Sequence, residues 1–251
     1  MFLLDILYIS FVNYLIFNMT FYISNFLLFL IDYFKLFVEL KIQKNKLINI
    51  NIDSIYKKIF PLVLQNSLLS IIPAILVMGM YELTYFENIN NPNNPNNYNN
   101  YNNTNCSESS NNFHVSKFVY DIIIARLLSE IFFYCTHRLC HINYLYQSIH
   151  KLHHEITIPI GLSALYMTIA DLYIGNIIPT YLPMLILQCH PVTIKFWMIT
   201  TTLNAVIFAH SGFQGLANSH DYHHSHFNKN YGTDLFMDKI FGTYYDETIN
   251  N

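Results

Sequence analysis

Three histidine clusters between Thr136 and Gly232 constrain this chain more than any other feature. They read His137-Arg-Leu-Cys-His141, His150-Lys-Leu-His153-His154 and His220-Asp-Tyr-His223-His224, with His210 ten residues before the third. Nine of the twelve histidines fall in these positions, in a sequence that is otherwise mostly apolar. An imidazole has two ring nitrogens that need partners, and burying one unpaired is costly. A satisfied core cannot absorb nine of them; a metal site can.

The spacing supports this. On a helix, residues four apart share a face, so His137 and His141 can aim at one ion. The pattern at 150, 153 and 154 adds a third imidazole by the same rule, and it recurs at 220, 223 and 224. A structural zinc takes four ligands, too few for this set. The set suits two metals with open coordination positions. Imidazole serves zinc, copper, iron and nickel alike, so the ligands alone do not name the metal.

Only 12% of the residues are charged, against 53% hydrophobic. Soluble domains carry about a quarter charged residues, so an all-α integral membrane protein is expected. The net charge of −3 and the lack of a basic patch argue against a nucleic-acid binder. Cys106, Cys135, Cys140 and Cys189 show neither C-x-x-C pairing nor a disulfide framework, and read as small buried residues.

The chain divides into an anchor and basic connector (1–58), a second membrane helix (59–82), an Asn-rich loop (83–117) and a histidine-bearing region (118–251). Ile6–Ile31 is uncharged and longer than the roughly 20 residues that cross a bilayer. Without a basic n-region or cleavage site, it reads as a retained anchor. Lysines 41, 44, 46, 57 and 58 follow, then the uncharged run Ile59–Tyr81 with Pro73 as an expected kink. From Asn88 to Asn112 the chain is dominated by Asn, with sequons at Asn102 and Asn105, and is expected to be disordered and luminal.

Phe118–Thr136 reads as a third span despite Asp121, Arg126 and Glu130. Arg126 and Glu130, four apart, can pair. Glu130 is also seven residues before His137, on the same face, where it could orient a ligand ring. Asp221, inside the third cluster, is a second candidate for that role. Pro159 is expected to stop the helix of the second cluster. Ile160–Gln188 and Val192–Phe213 read as a hairpin, its first arm bent or re-entrant, turning at Cys189-His190-Pro191. That gives about four to five membrane helices, with His190 at the far turn and a helical cap carrying all three clusters on one side. Lysine placement makes that side cytosolic.

The clusters HRLCH, HKLHHE and HDYHH resemble the histidine boxes of the fatty acid hydroxylase superfamily, the sterol desaturase family. Glu155–Tyr166 (EITIPIGLSALY), His210-Ser-Gly-Phe213, Phe227–Gly232 (FNKNYG) and Phe241-Gly-Thr243 are similar to segments of its 4-methyl-sterol-oxidase-like branch. The resemblance covers about Lys117–Tyr245. It implies an endoplasmic-reticulum membrane enzyme in which two iron ions activate O2 to hydroxylate a lipid C–H bond, in a sterol or related lipid. Electrons would come from NAD(P)H through cytochrome b5 and its reductase, which would be partners alongside the lipid and the bilayer. His137, His141, His150, His153, His154, His220, His223 and His224 carry over as ligands by motif position, with His210 as a further, weaker candidate. The N-terminal part is expected to leave no room for a fused haem domain.

The chain also departs from that branch. Relatives often have His-Pro after the tyrosine matching Tyr166, where this chain has Met167-Thr168-Ile169. Some carry a histidine at the position of Gln214. His226 is a surplus histidine, and Asp171 stands where relatives tend to have Glu. Desaturation of a sterol or sphingoid chain, and a non-catalytic metal-binding scaffold, remain competing readings.

Overall fold

A computed structural model describes residues 2–90, 113–158 and 160–245. The sequons Asn102 and Asn105, nearly all of the Asn-rich tract, Cys106 and the helix stop expected at Pro159 lie outside the described residues.

The protein is helical throughout the described residues, with no strand and one isolated antiparallel bridge between Lys41 and Phe213. Helix α1 (Phe2–Tyr33) is the long apolar anchor. Several of its polar side chains bond back to its own backbone: Ser10, Asn18, Thr20 and Asn25 each donate to the carbonyl four residues back. An apolar environment demands this, since no water is there to take the bonds.

After the connector, α2 (Ile52–Leu69) starts at Asn51, whose side chain accepts from Ser54 N. A short turn (Ile71–Pro73) and a π-helical stretch (Ala74–Gly79) then lead into α3 (Met80–Asn90). Pro73 cannot donate to the carbonyl of Leu69; Tyr173 donates to it instead, at 3.1 Å. The α-helical bonding is interrupted where the kink is expected, and the freed acceptor is paired.

Helix α4 (Val115–Cys140) carries the first histidine cluster in its last turn. It packs along α5 (Ile178–Ile186) and the π-helical stretch Asp171–Ile177 before it. The chain turns at Gln188, in the left-handed region, and His190 caps α6 (Pro191–Leu203) by accepting from Val192 N. A π-helical stretch (Asn204–Ala209) then runs into His210, followed by α7 (Asn218–His226) and α8 (Phe236–Phe241).

Among the described residues, three helical segments are long and apolar enough to cross a membrane: Leu3–Tyr33, Ile52–Asn88 and Pro191–Ala209. Two expected spans fall outside that set. Helix α4 is long enough, but Lys117, Asp121, Arg126 and Glu130 interrupt its apolar face. The arm expected over Ile160–Gln188 is helical only from Ile169 onward.

Residues Gly161–Leu165 instead form a buried 3-10 turn. Asn66 holds it, donating to the carbonyls of Leu165 and Met167 at 2.9 Å each. Gly161 fits because a side chain there would strike Asn25, Leu28 and Val206. Around this turn gathers the main core, including Phe21, Leu28, Ile59, Val63, Ile160, Met167 and Leu172. The start of the apolar run, Ile160–Met167, is therefore a buried core element beneath the histidines. Cys140 and Cys189 are buried as expected, whereas Cys135 is exposed.

Candidate metal centre

The nine clustered histidines converge in two groups. His137, His141, His150, His154 and His223 form one; His153, His210, His220 and His224 form the other. Within each group one nitrogen per ring lies within 4.8 Å of all the others. The groups adjoin, with the His154 and His224 ring centroids 4.4 Å apart.

The three clusters do not map one to one onto the groups. His137 ends α4 and His141 is its C-cap, so both serve the first group. His150 closes a π-helical turn (Tyr146–His150), while His153 and His154 sit in a 3-10 turn. This break sends His150 and His154 to the first group and His153 to the second. On α7, His220 and His224 share a face toward the second group, and His223 faces the first. His210 is a full member of the second group, its Nε2 3.1 Å from Nε2 of His220.

The ring tautomers follow from the backbone. Nδ1–H of His137 donates to Tyr231 O at 2.7 Å, of His210 to Ala205 O at 2.7 Å, and of His223 to Lys229 O at 2.6 Å. His153 Nδ1–H donates to Tyr166 O at 3.3 Å. A carbonyl can only accept, so each of these rings carries its proton on Nδ1 and turns the Nε2 lone pair inward. His150 Nδ1 is held at 2.7 Å by Asp171 Oδ2, and its Nε2 lies 3.1 Å from that of His137 and 3.0 Å from that of His154.

Inward-facing lone pairs at such distances repel unless a cation lies among them. The buried Nε2 atoms of His141 and His223 have no hydrogen-bond partner in the chain. Desolvation, reinforced by neighbouring imidazoles, depresses the pKa of His153, His154, His220, His223 and His224 well below the usual range. It lowers His141 to about 3 and His210 to about 4. All are held neutral, the form that ligates. The donor set therefore fits two imidazole-bound metal ions, five rings to one and four to the other.

The carboxylates behave differently from expectation. Glu130 is fully buried but binds no histidine. Its Oε2 accepts from Thr233 N at 2.7 Å, Thr233 Oγ1 at 2.9 Å and Asp234 N at 2.9 Å. The expected pair with Arg126 is also replaced, because Arg126 pairs with Asp234. Glu130 thus acts one step removed: it holds the loop after Tyr231, whose carbonyl orients His137. A buried carboxylate facing a row of backbone N–H groups finds better partners there than one guanidinium at the helix surface.

Asp221 accepts from Gln43 Nε2 at 2.6 Å. Asp171 is the carboxylate that touches a ring. The sequence signals for it are an acidic residue within an apolar run and the Glu that relatives tend to have at that position. The backbone carbonyls that orient the other rings have no sequence signal at all.

Of the departures, Thr168 donates to Ile149 O at 2.8 Å and accepts from Asp171 N at 3.2 Å, bracing both partners of the His150 contact. Gln214 is exposed. His226 turns away from both groups and stacks on Tyr222 with centroids 3.9 Å apart.

An apolar cavity of about 230 Å3 lies among α1, the Ser70–Met78 bend, the Asp171–Leu185 arm and α6. Phe17, Phe21, Leu165, Leu172, Met198 and Ala205 are among its walls. Leu165 adjoins Tyr166, which orients His153, and Ala205 orients His210. The cavity therefore shares its wall with the backbone of the four-histidine group.

Residues 122–243 match the family model described as Fatty acid hydroxylase. Fatty acid hydroxylase domain-containing protein 2 of Homo sapiens is 34% identical over 142 residues, 55% of this chain and 42% of that protein. Methylsterol monooxygenase 2-2 of Arabidopsis thaliana is 32% identical over 139 residues, 49% of this chain and 51% of that protein. Very-long-chain aldehyde decarbonylase GL1-8 of Oryza sativa subsp. japonica is 33% identical over 147 residues, 52% of this chain and 54% of that protein. The chain thus spans about half the length, or less, of these relatives. No solved structure matches it.

Proposed function

We propose that this chain, whose residues 122–243 are a fatty acid hydroxylase domain, is a membrane oxidoreductase that hydroxylates a C–H bond of a lipid using O2. One observation carries the reading: two adjoining groups of inward-facing, neutral imidazoles share a wall with an apolar cavity inside the helical bundle.

The nine histidines are the ligands in this reading. His137, His141, His150, His154 and His223 would hold one iron, and His153, His210, His220 and His224 the other. Bound there, the two ions supply O2 activation, chemistry the side chains lack. Tyr231 O, Lys229 O, Ala205 O, Tyr166 O and Asp171 orient the rings. The cavity binds the apolar part of the lipid and excludes water beside the four-histidine group. A methylsterol or related lipid fits the name of the Arabidopsis relative, and cytochrome b5 with its reductase is the proposed electron donor. The protein would sit in the endoplasmic reticulum with the histidines facing the cytosol.

The test is lipid mass spectrometry under 18O2. Membranes containing the protein, cytochrome b5 and its reductase are compared with membranes containing His153→Ala. Label in oxidised sterol methyl groups or acyl chains, absent from the variant, is the expected result and names the substrate class. A new double bond without label would point to desaturation. No lipid difference, with no iron bound, would sink the oxygenase reading in favour of a scaffold.

A further inference from the structure

Lys41 belongs to the basic connector, outside the family-matched segment. Its side chain is buried, as is that of Asp32 at the end of α1. Lys41 Nζ lies 2.8 Å from Asp32 Oδ1, donates to Ser211 O at 2.6 Å and sits 4.0 Å above the Phe213 ring. An ammonium has three N–H donors, and here a carboxylate, a carbonyl and a ring face each take one. The backbone repeats the contact, with Ile42 N donating to Gly212 O at 2.9 Å and Gln214 N to Leu40 O at 2.8 Å.

Every one of these contacts with the later chain falls on the four residues after His210. His210 itself stands where a π-helical stretch ends. Its ring is fixed from one side by Ala205 O; what fixes the backbone on the other side is Lys41. A buried ion pair is a weak means of adding stability, because desolvating both charges offsets most of their attraction. Its use here is geometric. We infer that the Lys41–Asp32 pair is a positioning device for the four-histidine metal group, coupling the N-terminal membrane helix to His210.

The inference rests on the reading that both histidine groups bind metal, and the experiment separates the two claims. Removing Lys41 alone would strand a buried carboxylate, so the variant is Lys41→Met with Asp32→Asn. The control is Lys195→Met with Glu82→Gln, which removes a partly buried pair on α6 and α3, whose contacts include Asn13 of α1 but no histidine. Full-length protein in detergent is loaded with Co2+. Metal per chain and the visible Co2+ spectrum are measured, together with amide hydrogen exchange over 210–214.

The expected result is a fall from two metals per chain to about one in the Lys41 variant, with a changed Co2+ spectrum, while the control keeps both. Two metals with the wild-type spectrum in the Lys41 variant would overturn the inference, as would equal losses in both variants. If the wild type takes up no metal, the two-metal reading fails, and exchange alone judges the brace. Faster exchange at 210–214 in the Lys41 variant only would uphold it; equal exchange in all three proteins would refute it.

Discussion

Asp171 Oδ2 lies 2.7 Å from Nδ1 of His150, and both groups are buried. This contact joins the helical arm that walls the cavity to the ring at the centre of the five-histidine group, whose Nε2 faces those of His137 and His154. A carboxylate behind a ligating imidazole fixes the ring and raises its basicity. Replacing Asp171 by Asn keeps the acceptor but removes the charge; replacing it by Leu removes both. Metal affinity should fall about 10- to 100-fold in Asp171→Leu and less in Asp171→Asn, on the scale typical of such partners. Competition against a chelator of known affinity measures it, and equal affinities in all three proteins would show that Asp171 does not act on the ring.

Glu130 accepts three short hydrogen bonds from Thr233 and Asp234, and this holds the loop behind Tyr231. Glu130→Gln places an amide where backbone donors need a carboxylate. The expected loss is about 3 kcal/mol, since bonds to a buried charged acceptor are worth about 1.5–3 kcal/mol each but are not additive. Gly232→Ala should act the same way, because a Cβ there would strike the Glu130 carboxylate and come within 3.0 Å of Asp238 Oδ2. Thermal unfolding in detergent checks both, and wild-type midpoints would contradict the assignment.

Asn66 donates to two carbonyls of the buried turn beneath the histidines. Asn66→Ala leaves both without a partner, at a cost of about 2–4 kcal/mol. Asn66→Asp faces two acceptors with a third and should cost more. Denaturant midpoints give the ranking wild type, then Ala, then Asp. An Asp variant as stable as wild type would mean that these bonds carry little.

Metal-free protein should be acid-sensitive. His141 and His210 titrate at about 3 and about 4 in the folded chain, against about 6.5 when unfolded. The folded state binds fewer protons, so this contribution is complete above about pH 6.5 and is lost as pH falls toward those folded values. Each such imidazole steepens the loss by about 1.4 kcal/mol per pH unit in that window. Unfolding midpoints of chelator-treated protein from about pH 8 to about pH 5 should be flat at first and then fall. A midpoint that stays constant through the acid range would contradict the burial of the rings.

The histidine clusters are legible in the sequence because spacings of three and four are local facts of helical geometry. So are the long apolar helices, whose length and composition meet the bilayer criterion, and the break in α-helical bonding near Pro73. The sequence thereby determined a helical membrane protein with a dense imidazole centre. Tertiary structure decided how those imidazoles divide. The break between His150 and His153 splits one cluster across two groups, and α7 divides its three rings between them, His223 to one and His220 and His224 to the other. It also decided that Glu130 grips a loop, that Asp171 grips a ring, that Ile160–Met167 is buried core, and that Lys41 reaches across the chain to the residues beside His210. Each of these depends on a partner distant in sequence, often a backbone carbonyl that every residue possesses, and periodicity carries no information about which one a side chain will meet.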